Sequence, residues 1–241
     1  MQINELLLKH ITEWTATNYK ELIANRGKSI VSNPFIYGET DIEPDIPKVM
    51  IVGQEARNYR EYNYQNWYDN EDGLRSEQQW TIDYLERQVY GRKTDTKFNR
   101  SPFWSFFRKI RKNGFQPMWN NLDKAHAIVD KKTISLSVEQ ERYLSKPLSS
   151  NGKSLLKNEI QVSKPAAVIF VTGPHYYESM AVALGCEDTQ LYKKRPDQKD
   201  VIKRIDCVVD EVTTLFWTYH PNYLRRTKRM DEVVEYVCEA L

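Results

Sequence analysis

Cysteine is scarce in this chain, and the three present, Cys186, Cys207 and Cys238, stand far apart with no C-x-x-C pair. That spacing excludes a zinc knuckle built from cysteines alone, and an odd count argues against a disulfide framework. Reduced, mostly buried thiols are expected. Long apolar runs are missing too: no segment approaches the roughly 18 residues needed to cross a bilayer. Met1-Gln2-Ile3-Asn4-Glu5 lacks the basic start and apolar stretch of a signal peptide, so a cytoplasmic location is expected. No Gly-x-x-x-x-Gly-Lys-Ser/Thr loop and no Gly-x-Ser-x-Gly elbow occurs. His126 and His175 have no neighbours at metal-ligand spacing, so neither a metal nor another cofactor is expected. A net charge of only +2 leaves any nucleic-acid partner to be met by a local patch.

What the chain has is the composition of a folded protein. Hydrophobic residues make up 40%, charged residues 28% and aromatics 12%, and that many rings require a core or a partner. The 241 residues suffice for one large domain with a sizeable core.

Three short apolar runs read as buried parallel strands: Lys48–Gly53, Ala166–Gly173 after Pro165, and Thr213–Tyr219 before His220-Pro221. Helical spacing marks other segments. Leu7, Ile11, Trp14 and Leu22 share a face near the N-terminus, and Ser154–Ile160 and Met230–Cys238 are amphipathic. Ser101 and Pro102 form a helix start whose aromatics are expected in the core and whose basic face is solvated. Residues 66–96 are crowded with charge, Trp, Tyr and Gln and read as an insertion, helical over Glu77–Gln88. Strands alternating with helices imply an α/β fold with helices on both faces of a parallel sheet. Ligands then bind beyond the carboxyl ends of the strands. That rule points at Gly53–Tyr59, Gly173–Tyr177 and His220–Arg226.

In the first of these, Gly53 allows a sharp turn and close approach by a ligand. Glu55 at the mouth could position water or stabilise positive charge, or simply sit at a strand-to-helix turn. In the last, His220 before Pro221 is suited to donate a hydrogen bond to a developing oxyanion. Arg225, Arg226, Lys228 and Arg229 could grip phosphates, or form a solvated basic turn with a capping histidine. Asn120 and Asn121 either pair with the edge of a nucleobase or form a turn.

In chain order the sequence shows Gly53-Gln54-Glu55, then Asn121-Leu122-Asp123-Lys124, then Pro165-x-x-Val-Ile-Phe-x-Thr-Gly173, then His220-Pro-x-x-Leu-x-Arg226. This order resembles the uracil-DNA glycosylase superfamily from about Lys48 to the C-terminus. The resemblance implies a three-layer α/β/α sandwich with a central four-stranded parallel sheet. The whole chain, 1–241, is then one such domain, with an N-terminal helical extension over about 1–26 and the insertion over about 66–96.

It also implies a base flipped from DNA into the crevice and cut from its sugar. Glu55 stands where the family positions its water, and His220 where it stabilises charge on O2 of the leaving base. Gln54, Asn121 and Tyr59 would contact the base, while Arg225 and Arg226 would hold DNA phosphates. Single-stranded DNA, double-stranded DNA or a nucleotide are the implied partners. The sequence departs from the pattern at Ala56, Arg57, Asn58 and Asn222. Glu55 is a methylene longer than the family's Asp, and a misplacement of that order can cost about 10²-fold in rate. Three cysteines cannot supply the four thiolates of the thermostable branch's iron–sulfur cluster. A non-catalytic nucleic-acid or nucleotide-binding module on the same fold is the other reading.

Overall fold

The computed structural model describes residues 3–27, 30–40, 45–55, 67–91, 99–130, 132–186, 200–210 and 213–241. Tyr59 lies outside them, and Glu55 is described through its backbone alone.

The chain opens with α1 (Ile3–Trp14), a π-helical turn (Thr15–Tyr19) and α2 (Lys20–Ala24). Leu7, Ile11, Trp14 and Leu22 are all fully buried, as their spacing predicts. The wider π turn re-phases the helix so that Tyr19 and Leu22 stay on the inner side.

Two apolar runs fold as expected of buried strands: β2 (Lys48–Glu55) and β6 (Ala167–Phe170). Val49–Val52 and Ala167–Phe170 are fully buried residue after residue, so both faces of the sheet are covered. On the other side of β2 from β6 runs β3 (Gln116–Asp123), buried throughout. The third predicted run is β8 (Thr214–Thr218), and beside it lies β7 (Ile202–Arg204). The strand order is β3-β2-β6-β8-β7, the first four parallel and β7 antiparallel to β8. The architecture is therefore α/β with a mostly parallel sheet. The sheet has five strands, one more than the four-stranded parallel sheet that the resemblance implies, and the fifth, β7, is antiparallel. Three residues, Ile-Lys-Arg, on an edge carry no apolar run by which β7 could be foreseen. A smaller antiparallel sheet joins β1 (Ile30–Val31), β4 (Ala127–Val129) and β5 (Lys132–Ile134).

Helices pack in two sets. α3 (Glu71–Tyr90) exceeds the predicted Glu77–Gln88 because Asn70 caps its start by accepting from Gly73 N–H (2.7 Å) and Gly91 ends it at φ 67°. α4 (Pro102–Lys112) starts as predicted, with Ser101 accepting from Trp104 N–H, and buries Trp104, Phe106, Phe107 and Ile110. Against α4 rest α8 (Pro221–Arg226) and α9 (Met230–Glu239). The second set joins α1, α6 (Leu155–Ser163) and α7 (Tyr177–Leu184). α5 (Val138–Ser145) packs on α2 and α7.

Cys186 and Cys207, read from spacing as reduced thiols, are instead joined in a disulfide, and Cys238 is free. The end of α7 and the β7–β8 connection bring their Cα atoms within 6.4 Å, a proximity that a separation of 21 residues does not announce. The cysteines thus lend no support to a reducing compartment. No described helix is long and apolar enough to cross a membrane.

Trp217 is fully buried and donates its Nε1–H to Gly173 O (3.0 Å), tying β8 to the end of β6. Trp217→Phe keeps a ring but strands that carbonyl. Urea unfolding should show a loss of about 1–3 kcal/mol; an unchanged midpoint would mean that the bond contributes nothing.

Candidate functional site

The parallel register aligns the strand ends. Gly53 pairs with Asn121, Glu55 with Asp123, Val52 with Phe170, and Phe170 with Trp217. Beyond that level the ladder passes to individual bonds. Val171 N–H donates to Val52 O (3.0 Å), and Gly173 N–H donates to Thr218 O (3.1 Å). Gln54 Nε2 donates to Thr172 O (2.6 Å), so the Gln54 amide nitrogen ties the end of β2 to that of β6. The carboxyl ends of four strands, where α/β sheets bind ligands, are thus locked to one another.

Gly53 has no room for a side chain. A Cβ there would lie 2.6 Å from Asn121 Oδ1 and 3.3 Å from Phe103 Cε2. The absent methyl lets the Asn121 amide and the Phe103 ring close over the backbone of β2. Asn121 is 2% exposed, and its Nδ2 has no hydrogen-bond partner among the described residues. Most buried polar groups are paired, and an unpaired one calls for a reason. Asn120 and Asn121 lie within β3, so the turn reading falls: Gln116–Asp123 is a continuous strand.

Helical spacing places Phe103 in the core with its neighbours on α4. It is half-buried instead, and its ring lies 6.2 Å from the His220 ring at an interplanar angle of 16°. At the first turn of α4 its ring lies over Gly53 of β2, and helical spacing alone carries no signal of that. His220 caps α8, its Nδ1 accepting from Asn222 N–H (3.2 Å). A ring nitrogen that accepts carries no proton, so the neutral ring bears its hydrogen on Nε2. The capping role and the donor role are therefore compatible.

Behind Asn121 lies a buried polar group. Lys124 Nζ donates to both carboxylate oxygens of Glu159 (2.9 and 2.7 Å) and to Asn120 Oδ1. Asn120 Nδ2 donates to Glu159 Oε2 (2.9 Å), and Asn121 N–H donates to Asn120 Oδ1 (2.8 Å). Burial lowers the Lys124 pKa below the usual lysine value, and the Glu159 carboxylate opposes the shift. Beside His220, burial raises the Tyr219 phenol, with Tyr223 and Asp200 adding to it.

The arginines sit at the last turn of α8 rather than at a helix start. Arg225 lines a depression of about 290 Å³ with Ser105, Lys109, Lys228, Met230 and Asp231, and Lys109 is ion-paired to Asp231. Arg226 lies over the Tyr223 ring at 5.7 Å, and Arg229 is taken up by Glu232 (2.7 Å). Of the residues read from sequence, Gln54, Asn121 and His220 gather around Gly53 and Phe103. Arg225 and Arg226 flank that group on α8.

Gly53→Ala forces Asn121 and Phe103 apart. The expected cost is about 1–3 kcal/mol in urea unfolding, the range for overpacking; wild-type stability would contradict the close approach.

No family model matches the chain, and no curated protein or solved structure matches it significantly.

Proposed function

We propose that this chain is a DNA glycosylase of the uracil-DNA glycosylase-like type, hydrolysing the N-glycosidic bond of uracil or a related damaged base. The observation that carries the reading is the Asn121 amide, buried and with an unpartnered Nδ2 among the described residues, beside a glycine that admits no side chain. A carboxamide offers one donor and one acceptor, the complement of a pyrimidine edge. Phe103 supplies a ring face for stacking, and the strands that carry the four motifs lie side by side as β3-β2-β6-β8.

In the proposed reaction a base leaves the helical stack and enters the crevice. Asn121 holds its edge, and Gln54 and Tyr59 complete its contacts. The C1′–N bond breaks, its electron pair going to the base, and negative charge builds on O2. The Nε2–H of His220 donates to that oxygen. Water held by Glu55 adds to C1′, and its proton passes to the carboxylate. The free base and an abasic sugar are the products. Arg225, Arg226 and Lys228 attract backbone phosphates.

A single-stranded oligonucleotide with one uracil tests this. Abasic sites should form and be revealed by alkaline cleavage, with His220→Ala and Glu55→Gln each lowering the rate by about 10²-fold or more. No abasic product from uracil or other damaged bases would overturn the proposal, and salt-sensitive binding without turnover would favour the non-catalytic module. In the same system Arg225→Ala with Lys228→Ala should weaken oligonucleotide binding and reduce the slope of log K against log salt by about two. An unchanged slope would remove the α8 patch from the interface.

A further inference from the structure

We infer that Lys124, Glu159 and Asn120 form a positioning device that fixes the backbone at Asn121 and so aims its side-chain amide, although none of the three is proposed to touch the base. The inference rests on the reading of Asn121 as the residue that meets the base edge.

The group is sealed. Lys124 is 3% exposed, and Glu159 and Asn120 are fully buried. The Phe35 ring covers the Lys124 ammonium at 5.4 Å, while Phe35 N–H donates to Lys124 O (2.6 Å). Substrate therefore has no access to the lysine, and a role as nucleophile is excluded by burial.

Stability does not account for the group. Two charges taken from water lose about as much in solvation as they regain from each other, and well-packed apolar residues of similar volume often do as well or better. What an ion pair supplies and apolar residues do not is direction. A carboxylate only accepts and an ammonium only donates. Asn120 must therefore turn its NH₂ to Glu159 and its oxygen to Lys124. That oxygen, so fixed, also accepts the Asn121 N–H.

The location makes such control useful. β3 pairs only with β2 among the described residues, so it is an edge strand at the point where Asn121 must be held. Among the described residues no strand restrains its outer side there. Glu159 lies on α6, on the far side of the strand from Phe103, so the network anchors β3 to that helix while Asn121 meets Gly53 and Phe103. A shift of about 1 Å in a positioned group can cost about 10²-fold in rate.

The test is the double variant Lys124→Met with Glu159→Leu, in the full chain. It removes both charges and keeps the volume. The circular dichroism spectrum and melting temperature should be retained. Exchange of the Asn121 amide hydrogen, followed by NMR, should accelerate about tenfold or more, while the amides of Met50 and Val168 in the same sheet keep their wild-type rates. On the uracil oligonucleotide, kcat should fall about tenfold or more with Kd within about twofold of wild type. Asn120→Ala, which removes the acceptor and leaves the ion pair, should give the same pattern and serves if the double variant does not fold. Wild-type Asn121 exchange, or a uniform acceleration across the sheet, would overturn the proposal. If the wild-type chain excises no base, the glycosylase reading falls on its own. The Asn121 exchange rate then decides the positioning role alone.

Discussion

Burial of the parallel strands on both faces is the constraint on which the rest of this structure depends. Val49–Val52 and Ala167–Phe170 have no solvent-facing side, so nothing along their length can meet a ligand. Polar side chains reach useful positions only where the strands stop, and there the backbone must find new partners. Gln54, Trp217 and the Gly173 amide supply them, bonding one strand end to the next. The same bonds that satisfy the sheet's edge therefore set the floor of the candidate site.

Two side chains on β3 divide the labour by the alternation of a strand. Asn121 turns to Gly53 and Phe103, and Asn120 turns to Glu159 on α6. One face carries the proposed base contact and the other its support. The support is costly in solvation terms, since a lysine and a glutamate are both removed from water. The proposed product is orientation, transmitted through the Asn120 side-chain carbonyl oxygen that accepts from both Lys124 and the backbone N–H of Asn121. On the other side of the crevice, His220 is oriented by the backbone itself, through the Asn222 N–H.

Hydropathy made most of the framework legible. β2, β6 and β8 were readable because strands buried on both faces are unbroken apolar runs. α4 was readable from a serine cap and a proline at the first turn, and α9 from its apolar spacing. β3 was not, because Gln116, Asn120, Asn121 and Asp123 interrupt its apolar run. Gln116 and Asn120 are paired in the interior with partners distant in sequence, Thr40 and Glu159. β7 was hidden by its shortness, and the Cys186–Cys207 bridge by the separation of its ends along the chain.

The site divides in the same way. The sequence by itself determined that buried strands run out near Gly53 and His220, and hence that Gln54 and His220 were candidates for one crevice, which Asn121 joined only through the family resemblance. Local pattern suffices for that, since a strand's end is a property of contiguous residues. Only the tertiary structure decided that Gly53 is needed for the approach of Asn121, that Phe103 leaves the core to face His220, and that Lys124 is sealed against Glu159. Each of these joins residues from separate elements, and the distance between them depends on how helices pack on the sheet. No spacing along the chain encodes that distance.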